Sequence, residues 1–214
     1  MTSGSLTGSG GLLNGNAFTV ESGTFGVRMG GSAALTKNTS GTVTLSAANL
    51  YTGATTLNDG VLVVGVNNSL PSATSVTVAS PATLRLGSGF STTISGLTGS
   101  GTVDLQSVPA TTLTVGNLDA GTVFTGVITG AGSLTKTGNG IITLSGSSPN
   151  TYTGVTTVSS GQLTLFKPAG VTTVAGNLVV GDGVGGPQAD LLVLVGANQI
   201  ADTSAVTIDR KSVV

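Results

Sequence analysis

Eight acids are spread along this 214-residue chain: Glu21, Asp59, Asp104, Asp119, Asp182, Asp190, Asp202 and Asp209. Cleaving a polysaccharide needs two carboxylates, or a carboxylate and a basic residue, within reach of one bond. No two of these acids are adjacent in sequence, and Asp104 with Asp119 is the pair that neighbouring strands could stack. Histidine and cysteine are absent. That excludes a serine nucleophile of the usual triad form, a thiol nucleophile, a thiolate zinc site and a disulfide scaffold.

Gly181-Asp182-Gly183-Val184-Gly185-Gly186 spells G-x-G-x-x-G. A dinucleotide fingerprint requires a helix next, whose N-terminal amides hold the pyrophosphate. Pro187-Gln188-Ala189-Asp190 and the strand-like Leu191–Val195 follow instead, so an ordinary glycine turn is expected. The same loop offers calcium one aspartate, where about six or more oxygens are needed, and adjacent coils are not expected to add acids. Lys37 and Lys136 recur at equivalent positions. They read as a ligand-facing basic row or, preferably, as solvated charges that blunt sheet association. Tyr51 and Tyr152 also recur and read as structural rather than as platforms for sugar rings. Thr42-x-Thr44 and Thr112-x-Thr114 have the spacing of a flat array for ice or a crystalline polymer, but the sequence shows no such row in every coil. No catalytic, cofactor-binding or metal-binding residue is assigned.

The elements that carry these residues are short strands. From Gly130 to Leu165 the chain reads GAGSLTKTGNGIITLSGSSPNTYTGVTTVSSGQLTL. Leu134, Ile142, Leu144, Val158, Leu163 and Leu165 alternate with Thr or Ser in pieces bounded by Gly, Asn and Ser, the mark of strands with one buried face. Gly31–Val64 repeats the pattern. Leu35-Thr36-Lys37 matches Leu134-Thr135-Lys136 at a shift of 99 (134−35), and Tyr51-Thr52-Gly53 matches Tyr152-Thr153-Gly154 at 101 (152−51). Gly60-x-Leu62 then answers Gly161-x-Leu163. Further apolar blocks recur about every ten residues, among them Val76–Val78, Leu84-x-Leu86, Ile94-x-x-Leu97, Leu113-x-Val115, Val171–Val174, Leu178–Val180 and Val206–Ile208. A unit reused within one chain argues for stacked coils.

The string L-T-K-x-G-x-G-x-x-T-L-S-G, followed by N-x-Y-T-G-x-T-T-V and G-x-L, resembles the autotransporter-associated β-strand repeat. That repeat is found in passenger regions of very large bacterial surface and secreted proteins. The resemblance is specific over Gly130–Leu165 and good over Gly31–Val64, where Leu50 and Thr39-Ser40 depart from the pattern. Ala169–Gly183 and Ala197–Ile208 are similar to sequence found beside such repeats. The resemblance implies a right-handed parallel β-helix and implies no activity.

Composition fits. Only 7% of residues are charged and 3% aromatic, with 35 glycines, whereas ordinary globular domains carry about 25% charge. The longest apolar runs, Val61–Val64 and Leu191–Val195, fall far short of the roughly 20 residues of a spanning helix, so no membrane insertion is expected. A net charge of −1 gives no reason to expect nucleic acid as a partner. The N-terminus shows no basic region followed by an apolar one; if exported, the chain is expected to be a piece of a longer passenger.

The reading is therefore an all-β, right-handed parallel β-helix of nine or ten coils over residues 1–214, with repeat copies at 31–64 and 130–165. A β-sandwich is the alternative fold. The expected role is non-enzymatic: a rigid stalk of a bacterial autotransporter-like protein at the outer membrane, cell surface or secreted. An adhesin role toward a host-surface or matrix ligand and end-to-end self-association are also expected. A fragment of a β-helical polysaccharide lyase or hydrolase is the alternative.

Overall fold

Alternation along the chain becomes two faces of each strand. Ser75–Val78 buries Val76 and Val78 and leaves Ser75 and Thr77 half-buried, and Thr83–Leu86 and Ser91–Ile94 repeat the pattern. The computed structural model describes residues 5–6, 11–106, 111–116, 121–184 and 189–209. Among these residues every regular element is a strand. Parallel neighbours require the chain to travel away and return. Here it turns two corners through Ser75–Val78, Thr83–Leu86 and Ser91–Ile94, then comes back as Gly96–Gly99 beside the first strand. Ser75 pairs with Gly96, 21 residues on (96−75). Repetition of this circuit builds three walls of nine, seven and six strands, with a two-stranded pair, Leu12–Asn14 and Arg28–Gly30, near the start. The parallel β-solenoid is present, and among the described residues every strand pair is parallel, unlike the antiparallel pairing of a sandwich.

The described residues make about seven turns, not nine or ten. Coil length is not uniform, since several coils carry longer turns. Gly99 pairs with Phe124, 25 residues later (124−99), and Leu165 with Leu194, 29 later (194−165). The outer coils also lack strands on part of their perimeter: the six-stranded wall begins at Ser91–Ile94, and the seven-stranded one ends at Val127–Thr129.

Inside, like residues stack. Phe124, Leu144 and Leu165 are successive partners and all are buried, each such side chain contributing about 1.5–3 kcal/mol of burial. Pro71 and Pro81 lie outside the strands, as the pairing requires. Ile94 and Leu97 fall on two strands either side of a corner. Val171–Val174 is not a strand and holds only the bridge from Val174 to Ile200. Its backbone is committed elsewhere: Thr173 N and Val174 N both donate to Gln199 O, and Thr173 O accepts from the Asn150 amide.

The two repeat copies do not sit one above the other. Ala34–Lys37 and Thr42–Leu45 lie on the nine- and seven-stranded walls, whereas their counterparts Ser133–Lys136 and Ile141–Ser145 lie on the six- and nine-stranded walls. The second copy is rotated by one wall relative to the first.

Candidate functional site

Lys37 and Lys136 are not on the surface. Each is the last, inward-pointing residue of its strand, 0% and 2% exposed. Lys37 stands in register between Val20 and Leu57, and Lys136 between Val115 and Val158. The apolar stem continues the aliphatic stack, and the ammonium reaches the corner. Lys136 Nζ donates to Thr137 O and Gly138 O at 2.7 Å and to Ser160 O at 2.9 Å. Those three bonds match the three protons of an ammonium. Lys37 Nζ donates to Glu21 O at 3.2 Å and to Thr39 O. The expectation of solvated charges is therefore wrong, and so is a basic row, because the two lysines stand on different walls. Burial lowers the Lys37 pKa below the ordinary value, against an opposing pull from the Asp59 carboxylate.

The glycine of G-x-L belongs to this clamp. Gly161 has φ +70°, and a Cβ there would stand 2.8 Å from Lys136 Nζ; at Gly60, also φ +70°, it would stand 2.7 Å from Lys37 Nζ. Lysine and glycine 25 residues apart (161−136) thus form one device, which sequence reading treated as two unrelated features.

The N-x-Y-T-G segment is a second device. Asn150 Oδ1 accepts from Ile128 N of the coil before at 3.0 Å, and Nδ2 donates to Thr173 O of the coil after at 2.9 Å. Asn49 repeats this with Met29 N at 2.8 Å and Ser69 O at 2.7 Å. Tyr152 and Tyr51 are fully buried, as their structural reading required, and their hydroxyls meet Thr156 Oγ1 at 2.5 Å and Thr55 Oγ1 at 2.7 Å. Burial pushes the Tyr152 pKa up to about 12 and that of Tyr51 upward as well. In both copies, the asparagine and tyrosine of the motif are consumed in building the coil.

Most of the described acids stand apart from one another. Asp104 pairs with Arg85 of the coil before, Nε to Oδ2 2.9 Å, and also accepts from Gln106; Asp119 lies outside the described residues. Asp59 Oδ1 caps Gly60 N, Asp202 is exposed and Asp190 is buried at the start of its strand. Asp182 Oδ1 accepts from Val184 N at 2.9 Å. One acid does arrive at this loop from the adjacent coil, contrary to expectation: Asp209 Oδ2 accepts from Gly183 N at 2.7 Å. Among the described residues no three acids gather as a metal site would require. A groove of about 460 Å³ opens beside the first copy, lined in part by Leu50, Tyr51, Pro71 and Thr93 and without any charged residue.

Outward-facing threonines, in contrast, are ordered coil after coil. On the nine-stranded wall Thr19, Thr36, Thr56, Thr77 and Thr98 are successive partners. Thr77 and Thr98 share a hydroxyl hydrogen bond of 2.9 Å. On the six-stranded wall Thr93, Thr114, Thr135 and Thr157 form one column, and Ser91, Thr112 and Ser133 form another two residues away. Such rows still do not recur in every coil, as expected: Thr42 and Thr44 pair with Val61 and Val63, and Thr157 pairs with Val179. Sequence reading missed the columns because which threonines become neighbours depends on the register between coils.

Residues 35–64 and 134–165 match the passenger-associated-transport-repeat family model. Over 119 residues, 54% of this chain, the sequence is 40% identical to the "Adhesin BmaC autotransporter" of Brucella suis biovar 1 (strain 1330). The matched stretch is 4% of that protein's length. No solved structure matches. The two motif-bearing stretches at 35–64 and 134–165 are passenger-associated transport repeats.

Proposed function

We propose that this chain serves as a rigid, right-handed stalk segment of a passenger displayed on or released from a bacterial surface, holding other regions away from the cell. The reading is non-enzymatic. The observation that carries it is the use of both repeat motifs: Lys37 and Lys136, Asn49 and Asn150, Tyr51 and Tyr152 all point inward or into corners and hold coils together. The adhesin name of the Brucella relative supports display and contact with an outside surface as the setting. From first to last, the nine strands of the longest wall span about 38 Å at about 4.8 Å per step. That is close to the width of a globule of this size, so scattering from the chain alone cannot separate rod from sphere. A head-to-tail tandem of two copies can: the stalk reading expects the long axis to double at constant cross-section. Growth in all dimensions together would refute it. A screen against acidic and neutral polysaccharides tests the enzyme alternative. Cleavage lost in Asp104→Asn at unchanged stability would make this a β-helical carbohydrate-active enzyme.

A further inference from the structure

The six-stranded wall offers an ordered surface that the stalk reading does not use. Ser91, Thr93, Thr112, Thr114, Ser133 and Thr135 form a grid of two columns by three rungs. Rungs stand about 4.8 Å apart, and the columns about 6.6 Å apart along each strand. All six side chains face outward and are half-buried. None of their hydroxyls has a hydrogen-bond partner among the described residues. Each therefore keeps one donor and two acceptor positions for something outside.

We propose that this wall binds a neutral polysaccharide in its ordered, extended form. Charge selects the occupant. The six grid positions and Thr157 above them are uncharged, the Arg85–Asp104 ion pair is on a different wall, and Lys37 and Lys136 are inside. An acidic glycan or nucleic acid finds no cation here, and a basic partner finds no carboxylate. The same grid explains why the ligand is a polymer. It carries no aromatic ring to stack on a single sugar, so each contact is a weak hydroxyl pair exchanged against water. Binding then depends on many pairs engaged at once, which only a chain or sheet with its own regular spacing supplies.

This inference goes beyond the stalk reading and is tested apart from it, since a rod that binds nothing keeps its dimensions. The full chain is mixed with microcrystalline cellulose, with insoluble chitin and with an acidic polygalacturonate gel, and the bound fraction is measured with and without added salt. The expected result is retention on at least one neutral polymer, insensitive to salt and not displaced by the free sugar. The variant Thr93→Val/Thr114→Val/Thr135→Val keeps β-branched side chains of the same shape and removes three hydroxyls. It is expected to melt with wild type and to lose at least tenfold in affinity, while Thr36→Val/Thr56→Val on the nine-stranded wall leaves binding unchanged. The proposal is overturned by any of four results: no retention on either neutral polymer, salt-sensitive retention on the acidic gel alone, full retention by the triple variant, or inhibition of ice recrystallisation without polymer binding.

Discussion

Replacing Lys136 with methionine tests whether a charge belongs inside this fold. Methionine keeps most of the stem that stacks between Val115 and Val158 and removes only the ammonium. Three carbonyls, of Thr137, Gly138 and Ser160, then lose their donor at a corner where these residues are half-buried. Hydrogen bonds to a charged group contribute about 1.5–3 kcal/mol each. Against that stands the relief of no longer desolvating an ammonium, worth several kcal/mol, and some of the carbonyls can turn to water. The expected net loss is about 2–4 kcal/mol, well above the roughly 0.5 kcal/mol of an ordinary surface change. Urea unfolding at constant slope reads the global loss, and amide exchange near Gly138 and Gly161 reads the local one. Arg85→Met is the control: its partner is in hand, but its side chain is 43% exposed, so about 0–1 kcal/mol is expected. A Lys136→Met protein as stable as wild type would refute the clamp.

Leu144→Asp places a carboxylate between Phe124 and Leu165 with no partner and should lower stability by several kcal/mol; Asp182→Asn, exposed in its turn, should change it by about 0.5 kcal/mol in thermal melts. The Tyr152 pKa, raised to about 12 from 10.0, means that its contribution is fully present below pH 10 and is lost as pH climbs through 12; Tyr152→Phe should remove that alkaline loss. Lys37, whose pKa burial lowers, acts oppositely: the unfolded chain holds more protons below 10.5, so melting temperature should first rise with pH toward that value. At the last rung Leu194, Val206 and Ile208 are exposed although they pair with buried Leu165, Leu178 and Val180. Head-to-tail association that increases with concentration is expected in light scattering, and a strictly monomeric chain would refute it.

Strands were legible because burial alternates with period two, and Ile142-Thr143-Leu144 shows that pattern without any knowledge of the fold. Stacking was legible because Gly31–Val64 and Gly130–Leu165 repeat. The fate of the lysines was not. A lysine between polar neighbours is ordinarily solvated, and what buries Lys136 is a trio of carbonyls contributed by two different coils. Backbone acceptors leave no trace in composition. The threonine columns were hidden for a related reason: Thr93, Thr114, Thr135 and Thr157 become neighbours only once the register between coils is known.

The one-wall rotation between the repeat copies has a consequence for any longer array built with the same offset. Because the shift of 99 residues is not a whole number of circuits, successive copies would advance around the axis like the treads of a spiral stair, and every third would face the same way as the first. The N-x-Y-T-G turns would then lie at all azimuths in turn. Two such shafts lying side by side would not bring like turn against like turn along their whole length, which disfavours lateral bundling. A single shaft, meanwhile, would present each kind of wall to every direction of approach, so that a partner arriving from any side would meet it within a few turns.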